Sequence, residues 1–166
     1  MIHNTHFSQY IPPNAMNYVT GTWADAAGQV AGTVCRHKTA AAETTVVTVP
    51  IIIPSNSVAL NGCKLASIEF DYEILILACT SVTAAVKKIT RGADTAVDVV
   101  AAVTATQDLA AAVAAATVDQ HKLTVTITTP AWIDNDEIYL LQVTIVAAAT
   151  STIDVLAAVA NFTYRA

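Results

Sequence analysis

Cys35 and His37 are the first pair of side chains in this sequence whose types and spacing allow chemistry. Two positions apart on an extended chain, they share a face. A cysteine beside a histidine is the beginning of a thiolate nucleophile, but the pair needs a third group to orient the imidazole. No such group can be picked out around them. Glu69, Asp71 and Glu73 form a second set, three carboxylates at spacing two. Paired carboxylates perform acid–base work in glycoside hydrolysis. The same row is also what a solvated strand face, or a contact to Lys and Arg, looks like. Asp134, Asp136 and Glu137 crowd one turn. Calcium takes roughly six to eight oxygen ligands, and the plainer reading is an Asx-type turn that keeps a hairpin soluble. His3 and His6 supply two donors where a structural zinc takes about four.

Trp23 and Trp132 are isolated from other aromatics and are expected to anchor packing rather than to form a sugar platform. Asn161-Phe162-Thr163 matches the glycosylation acceptor pattern, which carries weight only in a secreted protein. The chain has no glycine-rich phosphate loop, HExxH helix, GxSxG elbow or CxxC pair. No catalytic, cofactor-binding or metal-binding residue is therefore assigned. The chain is expected to be no enzyme and to need no cofactor.

The elements that would position these groups are legible from composition and period. Hydrophobic residues make up 54% of the 166 positions and charged residues only 13%, against about 25% charged in ordinary soluble domains. Thr, Ser, Asn, Asp or Lys interrupts every apolar run well before the ~18 residues of a membrane helix. The missing charge implies surface buried against other subunits, so assembly is expected. The net charge of −5 argues against nucleic acid or an anionic membrane as partner, because phosphates are neutralised by Lys and Arg. The basic groups at Arg36–Lys38 and Lys87–Arg91 read as solvated surface. Cys35, Cys63 and Cys79 are an odd, sparse set, expected as free buried thiols. The first residues show no basic and apolar leader, so folding in a cytoplasm is expected.

Residues 1–20 mix His, Asn, Tyr and Pro without a period and read as an arm, loosely ordered or docked on a neighbour. Residues 21–166 read as one domain. A strand is expected at 33–38 and another at 44–53, where Pro50 calls for an edge or bulge position. Pro54–Ser57 and Asn61-Gly62 read as turns. From Leu65 to Ala78, apolar Ile68, Phe70, Tyr72, Ile74 and Ile76 alternate with polar residues, the period of a half-buried strand. Toward Leu75 and Leu77 both sides turn apolar, so the strand is expected to enter a covered region. Further strands are expected at 82–90, 97–104, 123–128, 137–146 and 153–164, and the alanine run 110–116 is left as loop or helical turn. Short strands between turns, without a βαβ rhythm, give an all-β antiparallel sandwich or barrel.

The segments HKTAAAETTVVTVPIIIPSNS, LASIEFDYEI and HKLTVTITTPAWIDNDEIYLLQVTIVAAATSTIDVLAAVANFTYR resemble small jelly-roll-like β-sandwich virion proteins of tailed phages, over residues 36–165. The resemblance implies a jelly-roll-like sandwich that decorates or cements a capsid by contacting itself, as a homotrimer, and the major capsid protein. The alternative it leaves open is a head or tail fibre module that recognises a host surface glycan. It brings no site residues, because those proteins carry no catalytic motif.

Overall fold

The computed structural model describes residues 4–28, 32–53, 62–94, 97–108 and 116–165. It is an antiparallel β-sandwich with twelve strands among the described residues: β1 (Asn4–Ile11), β2 (Asn17–Tyr18), β3 (Trp23–Ala27), β4 (Val34–Lys38), β5 (Thr44–Ile51), β6 (Cys63–Ile74), β7 (Ser81–Thr90), β8 (Val99–Val103), β9 (Ala105–Gln107), β10 (Asp119–Ile127), β11 (Glu137–Val146) and β12 (Ile153–Arg165). The first sheet runs β3-β4-β12-β6-β10-β9, with β1 also paired to β12. The second runs β2-β5-β11-β7-β8. The chain passes repeatedly between sheets, and a single residue, Thr104, links β8 in one to β9 in the other. This is the antiparallel sandwich expected from the alternation, of the jelly-roll-like kind that the resemblance implies.

That alternation sets the core. Ile68, Phe70 and Tyr72 of β6 and Leu141, Val143 and Ile145 of β11 are all buried in one hydrophobic core. Burying such side chains at about 25 cal/mol per Å² is the main force holding the sheets together. Pro50 sits in β5 beyond the reach of β2, which pairs only at Val47 and Thr48, so its missing N–H leaves no ladder partner unmet. The Pro54–Ser57 turn, Asn61 and the 110–115 part of the alanine run lie outside the described residues.

Three expectations are corrected. Within residues 1–20, read as an arm, residues 4–11 are part of the sandwich: β1 pairs with the chain's own β12 from Ile11↔Ala158 to Asn4↔Arg165. Ile11 and Met16 enter the core. The period is hard to see because β1 lies at a sheet margin, where Phe7 and Tyr10 stay exposed. A register shift between Val155 and Ala157 marks where β12 changes partner, from β4 (Ile153–Val155) to β1. Such a bulge bends and twists a strand, which lets one strand serve two neighbours end to end.

The second correction is Leu75–Leu77, expected under cover. β6 stops at Ile74, and Leu75, Ile76 and Leu77 are exposed in the following loop. The apolar continuation belonged to a turn, so period two had lost its meaning there. The third is Lys38, read as solvated. It is fully buried. Its ammonium donates to the carbonyls of Thr39 (3.0 Å) and Ala41 (3.2 Å) and pairs with Glu43 at 3.1 Å. A buried charge survives only with such partners.

Candidate binding site

At the corner where β1 ends and the β3–β4 hairpin begins, the surface opens into a cleft of about 310 Å³ lined by Tyr10, Pro12, Pro13, Asn14, Asp25 and Arg36, with Thr33 and Val34. Each wall has a local cause. Tyr10 alternates with buried Ile11, so its ring points out of the first sheet and is 62% exposed. Pro12 and Pro13 fix φ and lead into a 3-10 turn, Pro13–Ala15, that presents Asn14. Asp25 and Arg36 are cross-strand partners in the hairpin, and Arg36 Nη1 donates to Asp25 Oδ1 at 2.6 Å.

The hairpin is held from behind. The Arg36 guanidinium lies 5.1 Å from the centroid of the Tyr18 ring, a cation–π contact. Tyr18 packs on Trp23 at 4.6 Å, and Trp23 Nε1 donates to the Thr20 carbonyl at 2.9 Å. Burial holds the Tyr18 hydroxyl in its neutral form by raising its pKa, and that hydroxyl donates to the Pro13 carbonyl at 3.0 Å. Gly21 lets the chain turn into β3 at φ +95, and a Cβ there would stand 2.6 Å from Thr45. Trp23 is thus the packing anchor expected. The Asp25 carboxylate remains 68% exposed. The walls of the cleft are contributed by Tyr10 together with an anchored ion pair, an amide and a hydroxyl. Concave sites with a few placed polar groups are the common form of small-molecule sites.

The groups singled out in the sequence end up elsewhere. Cys35 and His37 do share a face of β4, and the third group missing from the sequence is present: Asp154 Oδ1 lies 2.5 Å from His37 Nδ1. It is supplied by β12, far along the chain. Yet Cys35 is buried, its thiol donates to the Ala27 carbonyl at 3.5 Å, and burial followed by the Asp154 charge pushes its pKa up. Nucleophilic cysteines are shifted the other way. All three cysteines are free and buried, as expected.

Glu69, Asp71 and Glu73 line the outer face of β6. Glu69 pairs with Lys122 at 3.3 Å. Burial, with the Glu69 charge beside it, raises the Asp71 pKa against the pull of Lys122. His6 sits on the same sheet, its Nδ1 3.4 Å from Thr163 Oγ1, while His3 lies outside the described residues. Asn161 donates to Ser67 (3.1 Å) and Glu69 (3.3 Å) and accepts from Ser8 (2.6 Å), so its amide is engaged within the sheet. Trp132 is partly exposed, with Lys64 Nζ 4.5 Å from its ring centroid. Among the described residues, no three His, Cys, Asp or Glu side chains stand together as a metal site.

The Asp134–Glu137 turn closes on itself. Lys88 Nζ donates to Glu137 Oε1 at 2.5 Å, while Glu137 Oε2 accepts from Tyr139 Oη and the Asp134 N–H, each at 3.2 Å. Burial alone would raise the Glu137 pKa, but these donors and the Lys88 charge outweigh it and the net shift is downward. A lowered folded-state pKa adds stability above the unfolded value of about 4.3 and loses it as pH falls through the folded value. The stability gap between wild type and Glu137→Gln, measured by urea unfolding, should therefore shrink steadily from about pH 5 to about pH 3. A gap that is constant with pH would show that the carboxylate charge is not what the turn uses.

No known family profile matches the chain, and no curated protein matches it. Among solved structures, it is similar to the Clostridium thermocellum endo-1,4-β-D-xylanase 10B CBM22-1–GH10 modules complexed with xylohexaose (TM-score 0.45, 9% identity), covering 93% of this chain and 27% of that one. It is also similar to the enzymatically active domain of bacteriophage CBA120 tailspike protein 4 (TM-score 0.42, 5% identity), covering 93% and 19%. A third is TmCBM61 in complex with β-1,4-galactotriose (TM-score 0.40, 10% identity), covering 96% and 88%. The chain thus spans about a quarter of the xylanase chain and less of the tailspike chain.

Proposed function

We propose that this chain is a non-catalytic β-sandwich module that binds a neutral, pyranose-based glycan in the Tyr10–Asp25–Arg36 cleft. The observation that carries this reading is a cleft walled by Tyr10, Asn14 and an Asp25–Arg36 ion pair that is braced from behind by Tyr18. A pyranose offers an apolar C–H face and a rim of vicinal hydroxyls. An open aromatic ring suits the first, since such rings bury large area at low entropic cost. The Asp25 carboxylate and Asn14 amide suit the second, because hydrogen bonds with a charged partner are the stronger ones. Asp25 and Arg36 neutralise each other, and the net charge of −5 repels acidic ligands, so the favoured sugar is uncharged.

One ring and a few hydrogen bonds give modest affinity, on the order of 0.1–1 mM, or about −4 to −5.5 kcal/mol. The test is a panel of soluble neutral and acidic oligosaccharides titrated against the protein by calorimetry. The reading predicts saturable binding of at least one neutral oligosaccharide and no binding of acidic ones. Heats that never rise above dilution across the panel would overturn it. Capsid decoration, the other role implied by the resemblance, is supported by a different feature, the outer face of the second sheet, where Lys87 is the one charge among the described residues.

A further inference from the structure

The solvent faces of the two sheets differ sharply in charge. Glu69, Asp71, Glu73, Lys122 and Asp154 all face outward from the first sheet. On the second sheet, the outward positions of β5, β11, β7 and β8 carry one charge among the described residues, Lys87. The low charge of the whole chain is therefore concentrated on one face. That face also carries an apolar row. Ile138 pairs with Ile89, and Ile89 with Val100. Ile51 pairs with Tyr139, so the next residue, Ile52, extends the row on the other side. Ile52 and Val100 are 61% and 63% exposed, and Ile138 is 39% exposed. Pro50, Leu140 and Ala102 occupy the row behind, around Lys87.

We propose that this face is a docking surface for a second copy of the chain, the two second sheets stacking face to face about a two-fold axis. Three observations select that occupant. The first is electrostatic: a chain of net charge −5 meets its copy with least repulsion through the face that lacks its acids, whereas a charged partner finds almost no counter-charge there. The second is size. At ~3.4 Å per residue and ~4.8 Å between strands, the four strands cover roughly 550 Å² in flat projection. Side-chain relief brings that into the ~600–1,000 Å² per partner of specific interfaces. The third is composition: an apolar row beside Thr, Gln and Ala has the core and rim of such interfaces. A two-fold pairing also closes on itself. It leaves the Tyr10 rings on the outer, first-sheet sides, so the dimer would present two glycan clefts facing away from each other, a bivalent arrangement.

Sedimentation equilibrium of the full chain near 100 µM decides the matter. The expected mass is twice 17.3 kDa. Ile138→Lys and, separately, Val100→Lys on the edge strand should each reduce it to a single chain, with circular dichroism and melting midpoint retained. Glu69→Ala on the opposite face should leave the double mass. A single-chain mass for the wild type would overturn the proposal. So would a triple mass, the outcome implied by the virion resemblance, or a folded Val100→Lys that stays paired. Because none of these residues lines the Tyr10 cleft, loss of pairing with sugar binding retained separates this proposal from the glycan reading.

Discussion

Replacing Tyr10 by Ala is expected to lower glycan affinity at least tenfold while leaving the fold intact. The ring is 62% exposed and points away from the core, so its removal falls among surface substitutions that change stability by about 0.5 kcal/mol or less. Its loss to the ligand is larger. An aromatic contact contributes about 0.5–1.5 kcal/mol beyond the area it buries, and tenfold in affinity corresponds to about 1.4 kcal/mol. Tyr10→Phe keeps the face and should retain most of the binding. The pair is read by calorimetry with the best oligosaccharide of the panel. If Tyr10→Ala binds as tightly as wild type, the ring is not the platform, and the sugar site lies elsewhere or does not exist.

Phe70→Ala is expected to cost about 3–5 kcal/mol, the range for emptying a buried aromatic site. Phe70 is fully buried in β6, its ring 5.6 Å from that of Tyr72. Its neighbour Glu69 faces the other way, toward Lys122 and Asn161. Exposed pairs of that kind contribute about 0–1 kcal/mol, so Glu69→Ala should cost under about 1 kcal/mol. Chemical denaturation measures both, and equal costs would contradict the register of β6.

That register could be read in advance because β6 lies in the sheet interior with one dry face and one wet face. The same physics made β11, β10 and β12 legible. It failed at the margins. β1 has a strand's hydrogen bonds along only one side, on β12, so Phe7 and Tyr10 could stay exposed and blur the period. Three of the five residues of β3 are alanine, which packs without announcing a face. The candidate site was hidden for a different reason. Tyr10, Asp25 and Arg36 come from three strands whose juxtaposition depends on β1 and β4 sharing one edge of β12. No local spacing records that. Asp154 beside His37 is the same case, a partner supplied by β12 from 117 residues away. The sequence did place a Pro12-Pro13 pair one residue beyond Tyr10, after Ile11, a rigid turn close to an exposed aromatic. That was the one signal that could have found the cleft.

The most direct test of the glycan reading is a two-dimensional nitrogen–proton NMR titration of the wild-type chain with its best neutral oligosaccharide. The account predicts concentration-dependent shifts confined to residues 10–14, 25–26 and 33–36, with the outer face of the second sheet unmoved. Saturating shifts centred on Trp132 and Lys64 or on the Ile138–Val100 row, with the Tyr10 cleft silent, would contradict it.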